Sequence, residues 1–224
     1  MFKFYGAKHR LAALYPVPTR SVIIEPFAGA AGYAVHWRNA ADRVILVEKD
    51  ERVVELWQRL LAMPVDELLE LPTPEAGERS SDLLVAFAAG RTTRDTPKTF
   101  TVTSRMAERF NPMRRRIAES LDECRHFELV HGDYRDAPNI EATWFIDPPY
   151  QPTGVGRPDR TRGGRYTHSN ANIDYDELNG WTQSRRGQVI ACDQEGADWL
   201  QWNGAIAAQD TSSRGYREVF WERC

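Results

Sequence analysis

Short apolar runs, each four or five residues long and followed by a polar or glycine-bearing turn, recur along the chain. Val22-Ile23-Ile24-Glu25, Val44-Ile45-Leu46-Val47, Phe127-Glu128-Leu129-Val130, Ala142-Thr143-Trp144-Phe145-Ile146 and Gln188-Val189-Ile190-Ala191-Cys192 have the length and the β-branched and aromatic content of strands. Between them the apolar spacing changes to three and four. Val53, Val54, Leu56, Trp57, Leu60 and Leu61 mark a helix capped by Asp50, and further helices are predicted at Tyr33 to Trp37, Leu83 to Phe87 closed by Gly90, Asp174 to Ser184 and Ala197 to Trp202. Asn111-Pro112 reads as the cap and first position of a helix that turns Met113, Ile117 and Leu121 inward. Ala205 to Ala208 and Tyr216 to Trp221 read as an antiparallel pair finishing the sheet. Strands alternating with helices predict an α/β fold.

Composition narrows this picture in three places. At 224 residues and 42% hydrophobic, the chain can bury one sizeable core with a small insertion. A net charge of −3 means that any nucleic-acid surface must be a local patch. The stretch from Pro64 to Cys124 is where charge segregates. Asp66, Glu67, Glu70, Glu75, Glu78 and Asp82, with a lone Arg79, predict a solvated acidic connector. Arg91, Arg94, Lys98, Arg105, Arg109, Arg114, Arg115 and Arg116 then stand against only Asp95 and Glu108, interleaved with threonines, Ser104 and Asn111. Arginines mixed with small hydroxyl and amide side chains can neutralise phosphates and read base edges. A basic run alone is more often a solvated face, and the segregation of charge is what favours nucleic acid. Cys124, Cys192 and Cys224 share no metal-site or disulfide spacing, so no metal is expected. With no signal-type or membrane-length apolar stretch, the expectation is a soluble cytoplasmic protein without a membrane partner.

The candidate chemistry gathers where strands end. Pro26-Phe27-Ala28-Gly29-Ala30-Ala31-Gly32 turns from the first strand into a helix, and small residues there let backbone approach a ligand or simply make a tight turn. Glu48 ends the second strand about twenty residues past that loop, where doubly wound folds place a carboxylate on a ribose. Asp133 ends the third strand, placed to bind an adenine amino group or to cap the next element. Asp147-Pro148-Pro149-Tyr150 ends the fourth. The Asp147 carboxylate and the Pro148 carbonyl are two acceptors, and Tyr150 offers a flat face; together they suit a planar base with an exocyclic amine. From Gln151 to Asn172 follows a loop with Gly154, Gly156, Gly163 and Gly164 among Arg157, Arg160, Arg162 and Arg165, suited to closing on a nucleic-acid strand.

Gly6-Ala7-Lys8, Glu25-Pro26-Phe27-Ala28-Gly29, Gly132-Asp133-Tyr134 and Asp147-Pro148-Pro149-Tyr150 stand in one order over nearly the whole chain. Together they resemble the Dam-like DNA adenine-N6 methyltransferases, and Arg165-Tyr166-Thr167-His168 is also similar to the stretch that follows the catalytic motif in that family. The resemblance implies a Rossmann-like methyltransferase sheet with a C-terminal antiparallel pair and a small helical insertion. Residues 1–63 and 125–224 would form the catalytic domain, and 64–124 a basic target-recognition insertion. It implies S-adenosylmethionine as cofactor, with Phe27 and Gly29 lining its pocket, Glu48 on its ribose, Asp133 and Tyr134 at its adenine, Lys8 near its methionine end or the target, and Tyr5 among the cofactor-binding residues. Arg165 would join the basic segment on DNA. The sequence departs from the family at Ala7 (usually a second glycine), Tyr5 (commonly tryptophan), Glu48 (usually aspartate) and Gly29-Ala30-Ala31-Gly32 (usually Gly-x-Gly), departures that bear on cofactor affinity.

An adenine amine is a poor nucleophile because its lone pair is delocalised into the ring. Hydrogen bonds to Asp147 and to the Pro148 carbonyl favour a pyramidal nitrogen whose lone pair is free. The base must flip out of the duplex, and Tyr150 would replace its lost stacking. No cysteine follows a proline, which disfavours the cytosine-C5 chemistry. Cytosine-N4 and RNA amines present the same geometry and stay open, as does a binding protein that keeps the fold without catalysis.

Overall fold

The computed structural model describes residues 1–4, 6–88, 98–153, 168–209 and 215–224. Its centre is a seven-stranded sheet built of β1 (Val22–Glu25), β2 (Arg43–Glu48), β5 (Phe127–His131), β6 (Ala142–Ile146), β7 (Gly187–Gln194), β8 (Gly204–Gln209) and β9 (Gly215–Arg223). In space the order is β5-β2-β1-β6-β7-β9-β8. The first five run parallel, with β1 paired to β2 on one side and to β6 on the other; β9 runs antiparallel between β7 and β8. This is the α/β class expected, a Rossmann-like sheet closed by a C-terminal antiparallel pair.

Alternation along the strands sends side chains to two cores. Ile23, Val44, Leu46, Phe145 and Ile190 face one cluster; Ile24, Ile45, Val47, Trp144, Ile146 and Val189 face the other. The first cluster is covered by α1 (Gly32–His36), α2 (Glu51–Ala62), α4 (Leu83–Ala88) and α5 (Ser104–Leu121), with Phe2 packed against Trp57 and Phe87. The second is covered by α6 (Tyr175–Gln183), whose Leu178 and Trp181 pack with Tyr134 and Trp144. Asp50 and Asp174 cap α2 and α6, each accepting from backbone N–H groups of the first turn.

Residues 64–124 hold α3 (Val65–Glu70), a two-strand ladder of β3 (Arg79–Ser80) with β4 (Phe100–Thr101), α4 and α5. The acidic stretch is not wholly solvated, because its Leu68 is fully buried in the first core. Helix α5 does not begin at Pro112. Thr103 caps it, accepting from the Met106 N–H, and Met106 and Phe110 extend the buried stripe of Met113, Ile117 and Leu121 back through Pro112. The packing of Met106 and Phe110 outweighs the one backbone bond that proline removes. Ala197 to Trp202 is not helical either. Side chains take its backbone instead: Asp198 N–H donates to Gln151 Oε1 and the Ala197 carbonyl accepts from Trp202 Nε1. The expected closure of α4 by Gly90 lies outside the described residues, as does the stretch 154–167 of the glycine-rich loop. No described helix is long and apolar enough to cross a membrane.

Candidate active site

β1, β2, β5 and β6 end at one edge of the sheet, and the sheet order reverses between β1 and β6, so a crevice opens outside their carboxyl ends. Lys8, Phe27, Gly29, Glu48, Asp133, Tyr134, Asp147 and Pro149 all line this one cavity. Residues as far apart in sequence as Lys8 and Asp147 are thus brought together. Tyr5 lies outside the described residues.

The loop after β1 closes mainly on the protein's own N-terminal segment. Gly29 has φ +49°, and a Cβ there would stand 2.7 Å from the Phe4 ring; one on Gly32 would stand 2.8 Å from the Lys8 nitrogen. This close contact seats Lys8 at the cavity. Glu48 holds the loop from the other side: its carboxylate accepts the N–H groups of Gly29 at 2.7 Å, Lys49 at 2.8 Å and Asp50 at 2.7 Å. Burial raises its pKa above the ordinary carboxylate value, against those bonds. Phe27 and Tyr134 stack with centroids 5.1 Å apart. Asp133 accepts the Arg135 N–H at the head of a turn and the Lys49 ammonium at 2.8 Å. Burial opposes its ionisation, but those bonds and the nearby cations hold its carboxyl below the usual range.

At the end of β6 the Lys8 ammonium is buried. Its Nζ donates to both Asp147 oxygens at 2.7 Å and to the Gly6 carbonyl at 3.0 Å. Burial alone would lower the Lys8 pKa; Asp147 and then Glu218 outweigh it and hold the group protonated. Burial pushes the Asp147 carboxyl up, Lys8 pulls it down and Glu218 adds to the rise. The Cys192 thiol lies 3.4 Å from Asp147 Oδ1.

The rest of the motif is fixed by side chains. The Pro149 carbonyl accepts from the Tyr175 hydroxyl at 2.6 Å and the Tyr150 carbonyl from the Asn170 amide at 2.9 Å. Among the described residues no donor occupies the Pro148 carbonyl, and Pro148 is buried. The open face expected of Tyr150 is a correction. Tyr150 is only 7% exposed, Lys8 Nζ lies 4.9 Å from its ring centroid, and its hydroxyl donates to Glu218 at 2.8 Å. The phenol finds its partner on β9, which turns the ring inward.

Two functional candidates escaped the sequence reading. Glu25, the last residue of β1, lines the cavity, and its carboxyl accepts the Ala34 N–H at 2.5 Å. Burial pushes it from 4.5 to about 8. Glu218, on β9, accepts the hydroxyls of both Tyr15 and Tyr150.

Of the basic residues expected on nucleic acid, Arg91, Arg94 and Arg165 lie outside the described residues. Lys98, Arg105, Arg115 and Arg116 are exposed and Arg109 half-buried. Arg114 differs, because it donates to the Leu71 carbonyl and ties α5 to α3. Arg105, Arg109 and Arg116 lie within about 40° of one another around a 3.6-residue helix. Lys3 joins them, since burial and then the charges of Arg109, Arg116, Arg105 and Arg10 lower its pKa.

No protein-family model matches the chain, and no curated protein matches it in sequence. Among solved structures it is similar to a putative methyltransferase from Pseudomonas syringae (12% identity, TM-score 0.44, 96% of each chain covered). It is also similar to an RNA methyltransferase from Salinibacter ruber in complex with S-adenosyl-L-homocysteine (11%, TM-score 0.39, 90% of this chain and 80% of that one). A third is an rRNA methyltransferase from Streptomyces viridochromogenes (14%, TM-score 0.39, 95% and 80%).

Proposed function

We propose that this chain transfers a methyl group from S-adenosylmethionine to the N6 amine of an adenine flipped out of DNA. One observation carries the reading: Lys8, the Gly29 loop, Glu48, Asp133 and Asp147 meet in one cavity at the reversal point of the sheet. The cavity's chemistry fits the cofactor. Glu48 has a carboxylate at the end of β2 for ribose hydroxyls, the stacked pair of Phe27 and Tyr134 gives an aromatic wall for an adenine, and Asp133 gives an acceptor for its amino group.

S-adenosylmethionine, when bound, supplies an electrophilic sulfonium methyl. The protein's own work is on the amine. Asp147 accepts one N–H and the Pro148 carbonyl the other, so the nitrogen pyramidalises and its lone pair is released from the ring. The nitrogen gains the methyl and an Asp147 oxygen takes the departing proton. The basic face of Arg105, Arg109 and Arg116 with Lys3 neutralises backbone phosphates, with Lys98, Arg115, Arg91, Arg94 and Arg165 as further candidates. With Tyr150 buried, stacking on the flipped base falls to whatever surface its entry uncovers.

Incubation with labelled S-adenosylmethionine and a mixture of DNA and RNA, followed by nucleoside mass analysis, tests this. N6-methyladenine in DNA is the expected product. N4-methylcytosine or label in RNA alone would move the substrate class, and no label, with no binding of the cofactor in calorimetry, would remove the activity.

A further inference from the structure

Each of the three Lys8 N–H donors is engaged, two on Asp147 and one on the Gly6 carbonyl. An Asp147 carboxylate held on both oxygens by an ammonium has little left for an incoming amine. Some part of that pairing must give way, yet stripping an ammonium from a paired carboxylate inside a protein is strongly unfavourable. Lys8 has a second anion within reach. Glu218 Oε1 is 3.9 Å from Lys8 Nζ, just beyond a hydrogen bond, and Glu218 is only 2% exposed. It is also held in place: Tyr150 donates to Oε1 at 2.8 Å and Tyr15 donates to Oε2, and burial keeps both phenols protonated as donors. Glu218 does not line the cavity, so it acts from behind Lys8 and touches no substrate.

We propose that Glu218 is a positioning residue that takes over part of the Lys8 ammonium when the target amine arrives, and so frees one Asp147 oxygen to accept the amine N–H. This rests on the reading of Asp147 as the amine acceptor. The shift keeps the number of buried charges constant, one ammonium between two carboxylates, and needs a movement of only about 1 Å to bring 3.9 Å to hydrogen-bond distance. Tyr15 and Tyr150 hold the Glu218 side chain in place, so that Lys8 moves toward it. The buried orientation of the motif's tyrosine is thereby given a function.

A double-mutant cycle on Lys8 and Glu218, read in single turnover, tests the assignment. Glu218→Gln removes the second anion while keeping an acceptor for a phenol, and at least a tenfold fall in methyl-transfer rate is expected with cofactor affinity unchanged within twofold. In a Lys8→Met background there is no ammonium to relocate, so Glu218→Gln should cost less than a further twofold. The same cycle read as affinity for an oligonucleotide with an unpaired adenine covers a Lys8→Met variant too slow to time. Equal losses in both backgrounds, accompanied by a lower melting temperature, would assign Glu218 a structural role and overturn the proposal. A wild type that methylates adenine together with an equally fast Glu218→Gln variant also overturns it, and leaves the reading of Asp147 standing. A wild type that methylates no base removes that reading itself.

Discussion

Glu25 ends β1 with its carboxyl enclosed, and ionising it in the folded protein works against burial, which raises its pKa from 4.5 to about 8. The folded protein therefore keeps a proton that the unfolded chain has released. The stability this gives is fully present below about 4.5 and is lost as pH rises through about 8, a loss on the order of a few kcal/mol. Asp193, raised from 3.8 to about 7 chiefly by burial, tilts the balance the same way, whereas His9, lowered to about 4 chiefly by burial, tilts it the other way. Only a difference between variants isolates Glu25. Glu25→Gln keeps an oxygen for the Ala34 N–H and removes the ionisation, so its melting temperature should gain steadily on the wild type between pH 5 and 8. A gap that stays constant with pH would show that Glu25 titrates normally. Burial raises Glu48 in the same direction, but three backbone N–H groups oppose that rise and make its carboxylate part of the loop's scaffold.

At the scale of elements, α5 separates two kinds of arginine. Arg114 is spent on the Leu71 carbonyl, while Arg105, Arg109 and Arg116 project from one side near Lys3. If that side meets phosphates, neutralising the three should flatten the plot of log affinity for duplex DNA against log salt by nearly one unit per lost contact. Neutralising Arg114 should instead lower the melting temperature and leave the slope alone. A slope unchanged in the triple variant would make the face merely solvated. The distinction was hidden in the sequence, where Arg114, Arg115 and Arg116 look alike and Asn111-Pro112 imitates a helix start. The true start depends on Met106 and Phe110 finding the same core as Ile117, a tertiary fact. Strands were easier, since β1 and β6 have the bounds their apolar runs predict and β2, β5 and β7 extend theirs by one to three residues.

For the whole molecule, the order β5-β2-β1-β6-β7 turns strand ends that are distant in sequence into one cavity edge. The carboxylates at those ends were legible because each closes an apolar run. Glu218 was not: it sits in a polar-looking strand, and its partners Tyr15 and Tyr150 are 203 and 68 residues away. The same distance explains Tyr150, whose orientation is set by β9 and not by its own motif. In the proposed reaction Asp147 acts on the amine during transfer, beyond holding Lys8 in place. Single-turnover methylation of adenine-containing DNA by Asp147→Asn and Asp147→Ala, with cofactor affinity and melting temperature measured on the same samples, tests it most directly. Both variants should lose roughly a hundredfold or more in rate while cofactor affinity stays within about threefold. Methylation near the wild-type rate in either variant would contradict it.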